Sequence, residues 1–437
     1  MKTRIENITI LTMNQEFEII EDGFIEFDKQ ITCIGQGQSC HDADCIIDGH
    51  HGILMPGMIN THTHVGMIPF RSLGDDCKDR LRRFLFPLEN ECMTEKLAYA
   101  SAKYAISEML LSGITTFMDM YYFEDEIAKA ADEMGIRAFL GETVIDFQSC
   151  DSEKPYGGLD YAKWFIPKWK NHSRIVPFIA PHATNTNCED ALKQANEISK
   201  QYNVPLSLHA CEMDYEIAYF KEHYQQTPIQ FLETLGLLSS RLVAAHCILL
   251  NKDDIDLLAR YQVKVAHCIG SNAKAAKGVA PVKEMLEKGV HVGLGTDGPS
   301  SGNTLDMFTQ FKLFADFHKN HYHDRSLFPA KNIVELGTIE GAKVLGMDAK
   351  IGSIEIGKKA DLVLLETDSV NMFPIFDYYS AIVYSAQAHN VDSVFVDGQC
   401  LVRHKELVKE SFQEIKKNLY DEMKEFSKKA KMYEIKK

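Results

Sequence analysis

The sequence predicts an α/β protein: a (β/α)8 TIM barrel with a small β-sandwich built from both chain termini. Three observations carry this. Eight short apolar runs recur between residues 52 and 298, and most intervals between them have helical spacing. The two ends of the chain instead alternate apolar and polar residues, broken by Gly and Asp-Gly turns.

In order, the segments RIENITILTM, EFEIIEDGFIEFD and QITCIG read as short antiparallel strands. The eight apolar runs occupy 52–62, 113–120, 136–145, 174–182, 204–210, 241–246, 263–267 and 291–298. Between them, TEKLAYASAKYAISEMLLSG, EDEIAKAADEMG, EDALKQANEISKQY and PVKEMLEKG carry the helical period. Residues 352–366 and 392–402 return to the alternating texture of the N-terminus. Last comes an amphipathic helix with Val408, Phe412, Ile415, Leu419, Met423 and Phe426 on one face and a solvated Lys-rich face opposite. The expected divisions are 1–57 and 351–437 for the sandwich and 58–350 for the barrel.

Composition narrows the function. Of 437 residues, 45% are hydrophobic and 25% charged, which excludes a disordered chain. A net charge of −15 argues against nucleic-acid binding, because affinity for phosphate backbones rests on Lys and Arg. Eleven scattered cysteines without a CxxC pair give neither a disulfide framework nor a Cys-type zinc site. No secretory signal or apolar run of membrane-spanning length is read, so the expected setting is cytoplasmic, with no membrane partner.

Barrel enzymes carry their chemistry at the C-terminal ends of their strands. Here His62 and His64 end the first run, His182 the fourth, His209 the fifth, His246 the sixth and His267 the seventh; Asp297 ends the eighth. Residues two apart on a strand point the same way, so His62 and His64 can reach one ion. With His209 and Asp297 they offer three nitrogens and a carboxylate, a set that suits one divalent ion, zinc ahead of iron, with a position left for water. Glu212, in LHACE, is placed as a proton carrier, His246 as the group that orients the water, and Asp297 as ligand and base together. Such a site activates water for attack on an electrophilic carbon. The spacing leaves ammonia, chloride or an amide nitrogen open as leaving group.

PGMINTHTH, LHACE, VAAHC, SNAKAAKGVAPV, GTDG and GSIEIGKKADLVLLE together resemble the amidohydrolase superfamily, in its branch of cytosine deaminases, chlorotriazine hydrolases and S-adenosylhomocysteine/5′-methylthioadenosine deaminases. The likeness runs from about residue 5 to about residue 400. It implies a mononuclear site with His62, His64, His209 and Asp297 as ligands and with His246 and Glu212 as catalytic partners. It also implies ribose binding by Glu89, in FPLENECMTEK, and by His182, in APHATNT. A small-molecule substrate and a homo-oligomer, dimer or tetramer, are implied as well.

Two positions depart from that branch. Arg80 stands where a Trp is usual, and Glu142 where an Arg follows the third strand. An arginine there suits a substrate carboxylate, whereas a glutamate is expected to repel one. Arg80 reads equally as a solvated charge or as a substrate contact. The expected reaction is hydrolytic deamination of an adenosine-type nucleoside. Deamination of guanine, a pterin or cytosine, triazine dechlorination and cyclic amide hydrolysis stay open, as does a catalytically silent metal-bearing module.

Overall fold

A computed structural model describes residues 2–77 and 80–434. Two eight-stranded sheets organise it. The first comes from the chain ends: β1 (Thr3–Leu11), β2 (Ile19–Phe27), β3 (Ile31–Gln36) and β4 (Cys45–Pro56) precede the second sheet. That second sheet runs from β5 (Met58–Thr63) through β6 (Ile114–Tyr121), β7 (Arg137–Val144), β8 (Ile175–Pro181), β9 (Leu206–Ala210), β10 (Leu242–His246) and β11 (Lys264–His267) to β12 (Val292–Leu294). β13 (Leu362–Leu365), β14 (Val391–Val396), β15 (Gln399–Arg403) and β16 (Glu406–Leu407) then complete the first.

Strands β5 to β12 lie in sequence order, joined by parallel pairing. Thr61 Oγ1 donates to the Leu294 carbonyl at 2.9 Å and the Asp297 amide to the His62 carbonyl at 3.0 Å, tying the last strand to the first. Every residue of β5, β6, β7, β9, β10 and β12 is buried, as expected of parallel strands covered on both faces. Ile59, Met118, Met120, Phe139, Phe178, Val243 and Ala266 fill the barrel interior.

In the terminal sheet the order is β16-β15-β14-β13-β4-β1-β2-β3. Three strands separate β2 from β14, yet the rings of Phe27 and Phe395 lie 5.3 Å apart. The sheet therefore curls over itself around Ile5, Ile8, Ile10, Ile25, Leu54, Leu362 and Leu364, which is the expected sandwich. Arg137, at the foot of β7, joins the two sheets: its guanidinium reaches Asp361 at 3.1 Å and Asp397 at 2.8 Å, with the arginine and Asp361 buried.

The run 52–62, expected as one strand, is two. It breaks at Gly57, which packs so tightly on Thr115 that a Cβ there would lie 2.1 Å from Oγ1. The terminal helix is also divided, into Phe412–Glu422 and Lys424–Glu434. Ile415, Leu419 and Phe426 are buried as expected, and Phe426 meets Phe70 edge-on at 4.7 Å. Val408 lies outside the helix and is exposed.

Candidate metal centre and active site

The polar strand ends meet at one mouth of the barrel. His62 Nε2 and His64 Nε2 lie 3.1 and 3.4 Å from His209 Nε2. Asp297 Oδ1 is 3.3 Å from His64 Nε2 and 4.0 Å from His62 Nε2. His246 Nε2 stands 4.0 Å from Asp297 Oδ2 and 3.7 Å from Glu212 Oε1. Residues drawn from four separate strand ends thus converge. The backbone contributes: His246 and Asp297 have φ of 70° and 57°, a left-handed conformation that turns the chain at the strand tip.

The hydrogen bonds behind the imidazoles decide what the front can hold. His64 Nδ1 donates to the Met120 carbonyl at 2.6 Å, His209 Nδ1 to the His182 carbonyl at 2.5 Å, and His246 Nδ1 to Asn272 Oδ1 at 2.9 Å. An acceptor at Nδ1 fixes the proton there and leaves an Nε2 lone pair, so buried lone pairs face one another across 3.4 Å. Such crowding is repulsive unless a cation lies among them. The donor set therefore fits one divalent ion.

Without an ion, charge is shared unevenly. Burial lowers the pKa of His62 and His209 well below the usual imidazole value, reinforced by repulsion from neighbouring imidazoles. Burial acts the same way on His64, but its bond to Asp297 outweighs burial and raises it to about 9. A proton on His64 then supplies the positive charge the cluster requires. Asp297 is pushed up by burial, yet His64 and His246 hold it well below the carboxylate range.

Around this cluster lie the other expected residues. The His182 ring is 4.9 Å from that of His209, and its Nδ1 is 3.0 Å from Thr186 Oγ1. Burial, then the nearby His64, lowers it to about 4, so it is neutral. Glu89, on the helix Phe86–Cys92, is buried; desolvation lifts it to about 7 against the opposing pull of Tyr121 and His64. Tyr121 and Tyr122 are buried beside it.

Three expectations change. His267 points away from the mouth: its neighbour Ala266 faces the barrel interior, and His267 Nε2 meets His318 Nε2 at 3.1 Å among Phe314 and Phe328. Arg80 is not a free, solvated charge. It donates to the carbonyls of Leu73, Phe70 and Ser300 and pairs with Asp75 at 3.1 Å, stapling two mouth loops together. Glu142 is wholly buried and accepts from the Glu124 amide at 3.2 Å, and desolvation, then Asp151, push its carboxyl well above the usual carboxylate range.

Two further residues belong to the site. Asn272 orients His246, and Lys277 forms a short ion pair with Glu212 Oε1. Both lie in SNAKAAKGVAPV, where the signal available was an amide and an ammonium close behind the seventh strand. Burial pulls the Glu212 carboxyl up, but His246 and Lys277 bring it down to about 2.

Residues 53–401 match the amidohydrolase family. The chain belongs to that family. This amidohydrolase is 38% identical over 397 residues to a 5-methylthioadenosine/S-adenosylhomocysteine deaminase of Thermodesulfovibrio yellowstonii, covering 89% of this chain and 90% of the relative. It is 36% identical over 403 residues to a 5′-deoxyadenosine deaminase of Methanosarcina barkeri, covering 91% and 92%. Among solved structures it resembles a zinc-bound adenosine deaminase from Xanthomonas campestris, with a TM-score of 0.94, 28% identity and 98% of both chains covered.

Proposed function

We propose that this amidohydrolase is a zinc-dependent hydrolytic deaminase of adenosine-type nucleosides, with His62, His64, His209 and Asp297 holding one ion. The observation that carries the reading is the set of Nδ1-anchored imidazoles whose Nε2 lone pairs converge beside two carboxylates. The deaminases at 36–38% identity support the reaction class, and the zinc in the adenosine deaminase structure supports the metal.

A divalent ion bound by these four groups makes hydroxide available near neutral pH. The protein's own groups manage the protons. Water brings two: Glu212, ionised at rest, carries one to the ring nitrogen beside the amino-bearing carbon. Asp297 takes the other and passes it to the amino group. The carbon–nitrogen bond breaks, a carbonyl forms and ammonia leaves. His246, fixed by Asn272, orients the water through Nε2. Glu89 and the neutral His182 hold the ribose hydroxyls. With Glu142 buried where an arginine is usual, nothing at this position pairs with a 5′ carboxylate, and nucleosides with neutral 5′ groups are the expected best substrates.

The experiment is a panel of adenosine, 5′-deoxyadenosine, 5′-methylthioadenosine, S-adenosylhomocysteine, guanine, a pterin and an aminotriazine, scored for ammonia release with bound metal measured alongside. Greatest turnover of the nucleosides with neutral 5′ groups supports the reading. Ammonia from none of them, or faster turnover of guanine or the pterin, overturns it. A cytoplasmic homo-oligomer completes the proposal. The exposed Val370, Phe373 and Phe376 give apolar surface for a second copy, and light scattering tests it.

A further inference from the structure

Lys277 has no place in the chemistry described so far, yet it is the cation nearest the proton carrier. It lies just beyond the helix Ile269–Lys274 that follows β11, 65 residues from Glu212 in the chain. Its ammonium and the Glu212 carboxylate are each mostly shielded, with 18% and 19% of their side chains exposed. The bond is made to Oε1, the same oxygen that stands 3.7 Å from His246 Nε2. Oε2 makes no hydrogen bond among the described residues. One carboxylate oxygen is thus tied and the other is left open. The backbone behind Lys277 is also fixed, since its amide donates to the Asn272 carbonyl at 3.0 Å, next to the side chain that orients His246.

We propose that Lys277 is a positioning residue for Glu212: it anchors Oε1, leaves Oε2 as the single atom that carries the proton from water to ring nitrogen, and balances the resting carboxylate charge. This inference rests on the deaminase reading and deepens it. It also fixes what Lys277 does not do. An ammonium engaged by Glu212 is not the dedicated partner of a substrate carboxylate, in keeping with nucleosides whose 5′ groups are neutral. A carboxylate deprived of its partner keeps its position in the chain but samples several rotamers, and a displacement of about 1 Å at a reacting group costs on the order of 100-fold in rate.

The test compares Lys277→Met, Lys277→Arg, Glu212→Gln and Glu212→Gln/Lys277→Met on the best nucleoside of the panel. Lys277→Met is expected to lower kcat by about 10- to 100-fold with KM changed less than about threefold. Lys277→Arg recovers part of the loss, and Lys277→Met costs less than about threefold once Glu212 is glutamine. Equal losses in both backgrounds, or a raised KM at unchanged kcat, overturn the proposal. A second readout needs no turnover: acetic anhydride labelling of lysines followed by mass spectrometry. Lys277 is expected to be protected in the natural protein and to react faster in Glu212→Gln. Labelling of Lys277 at the rate of an exposed lysine overturns the pairing. Absence of ammonia from every compound overturns the deaminase reading instead, and the labelling result then still decides the pair.

Discussion

Arg137→Met tests what joins the barrel to the terminal sheet. The guanidinium is 1% exposed and donates from Nε and Nη2 to Asp361 Oδ2 at 3.1 Å, from Nη2 to Asp397 Oδ1 at 2.8 Å, and from Nη1 to the Ser173 carbonyl at 3.3 Å. Methionine fills much of the volume and removes the charge, leaving buried Asp361 without its guanidinium and Asp397 with Lys359 at 3.3 Å as its remaining cation among the described residues. Breaking a buried pair from one side costs about 3–5 kcal/mol, and that is the expected loss at pH 7. The sign of the pH dependence follows from Asp361. Burial already raises its pKa above the ordinary value, with Arg137 pulling the other way. Without the arginine it rises further, so the variant holds a proton more tightly folded than unfolded. Its deficit is then largest at neutral pH and shrinks as the pH falls towards 5. Adding Asp361→Asn and Asp397→Asn should recover most of the loss. Urea unfolding followed through Trp164 and Trp169, the two tryptophans of the chain, measures this from pH 5 to 8. Arg137 begins β7 at the end of the barrel away from the histidines, so bound metal should not change. A deficit below about 1 kcal/mol, or one indifferent to pH, would refute the argument.

Other outcomes follow from the site. His209→Ala should leave the purified protein with far less than one bound ion by elemental analysis, because the remaining donors cannot close the set. Asn272→Leu removes the acceptor behind His246 and should cost roughly 10- to 100-fold in kcat/KM at unchanged metal content. Glu89 titrates near 7 in the metal-stripped protein, having been lifted from 4.5 chiefly by burial. Its folded pKa is raised, so its contribution to stability is greatest below pH 4.5 and is lost as the pH rises to about 7. Glu89→Gln should therefore flatten the stability profile of the stripped protein between those values, and parallel denaturation curves for the two proteins would contradict this.

The cluster of imidazoles and carboxylate at the barrel mouth was legible in the sequence because its members announce themselves. His62, His64, His209, His246 and Asp297 are polar residues closing apolar runs, where neither packing nor helix propensity calls for them. The strand count was legible for a related reason: buried parallel strands are apolar on both faces and stand out as blocks. Facing direction was less accessible. His267 closes a run just as His246 does, and only the interior placement of Ala266 shows that it turns outward to His318. The break at Gly57 depends on Thr115, some 58 positions away, and the bond from Lys277 to Glu212 depends on loop closure across two strands. Charge states were beyond reach as well. Glu142 reads as an ordinary carboxylate in one dimension, whereas desolvation and Asp151 raise its pKa in three.

The terminal sheet imposes an order on synthesis. β4 pairs with β1 on one side, but its other edge is completed by β13, with Pro56 opposite Leu362. About 300 residues separate those partners, or roughly 15–60 s of elongation at ~5–20 residues per second. Throughout that interval the nascent chain carries Ile53, Leu54 and Met55 on an unfinished, apolar strand edge while the whole barrel emerges behind it. The ribosome therefore releases a molecule in which the outer edge of β4 is among the last to find its neighbour, and mispairing there during translation is the hazard this architecture has to survive.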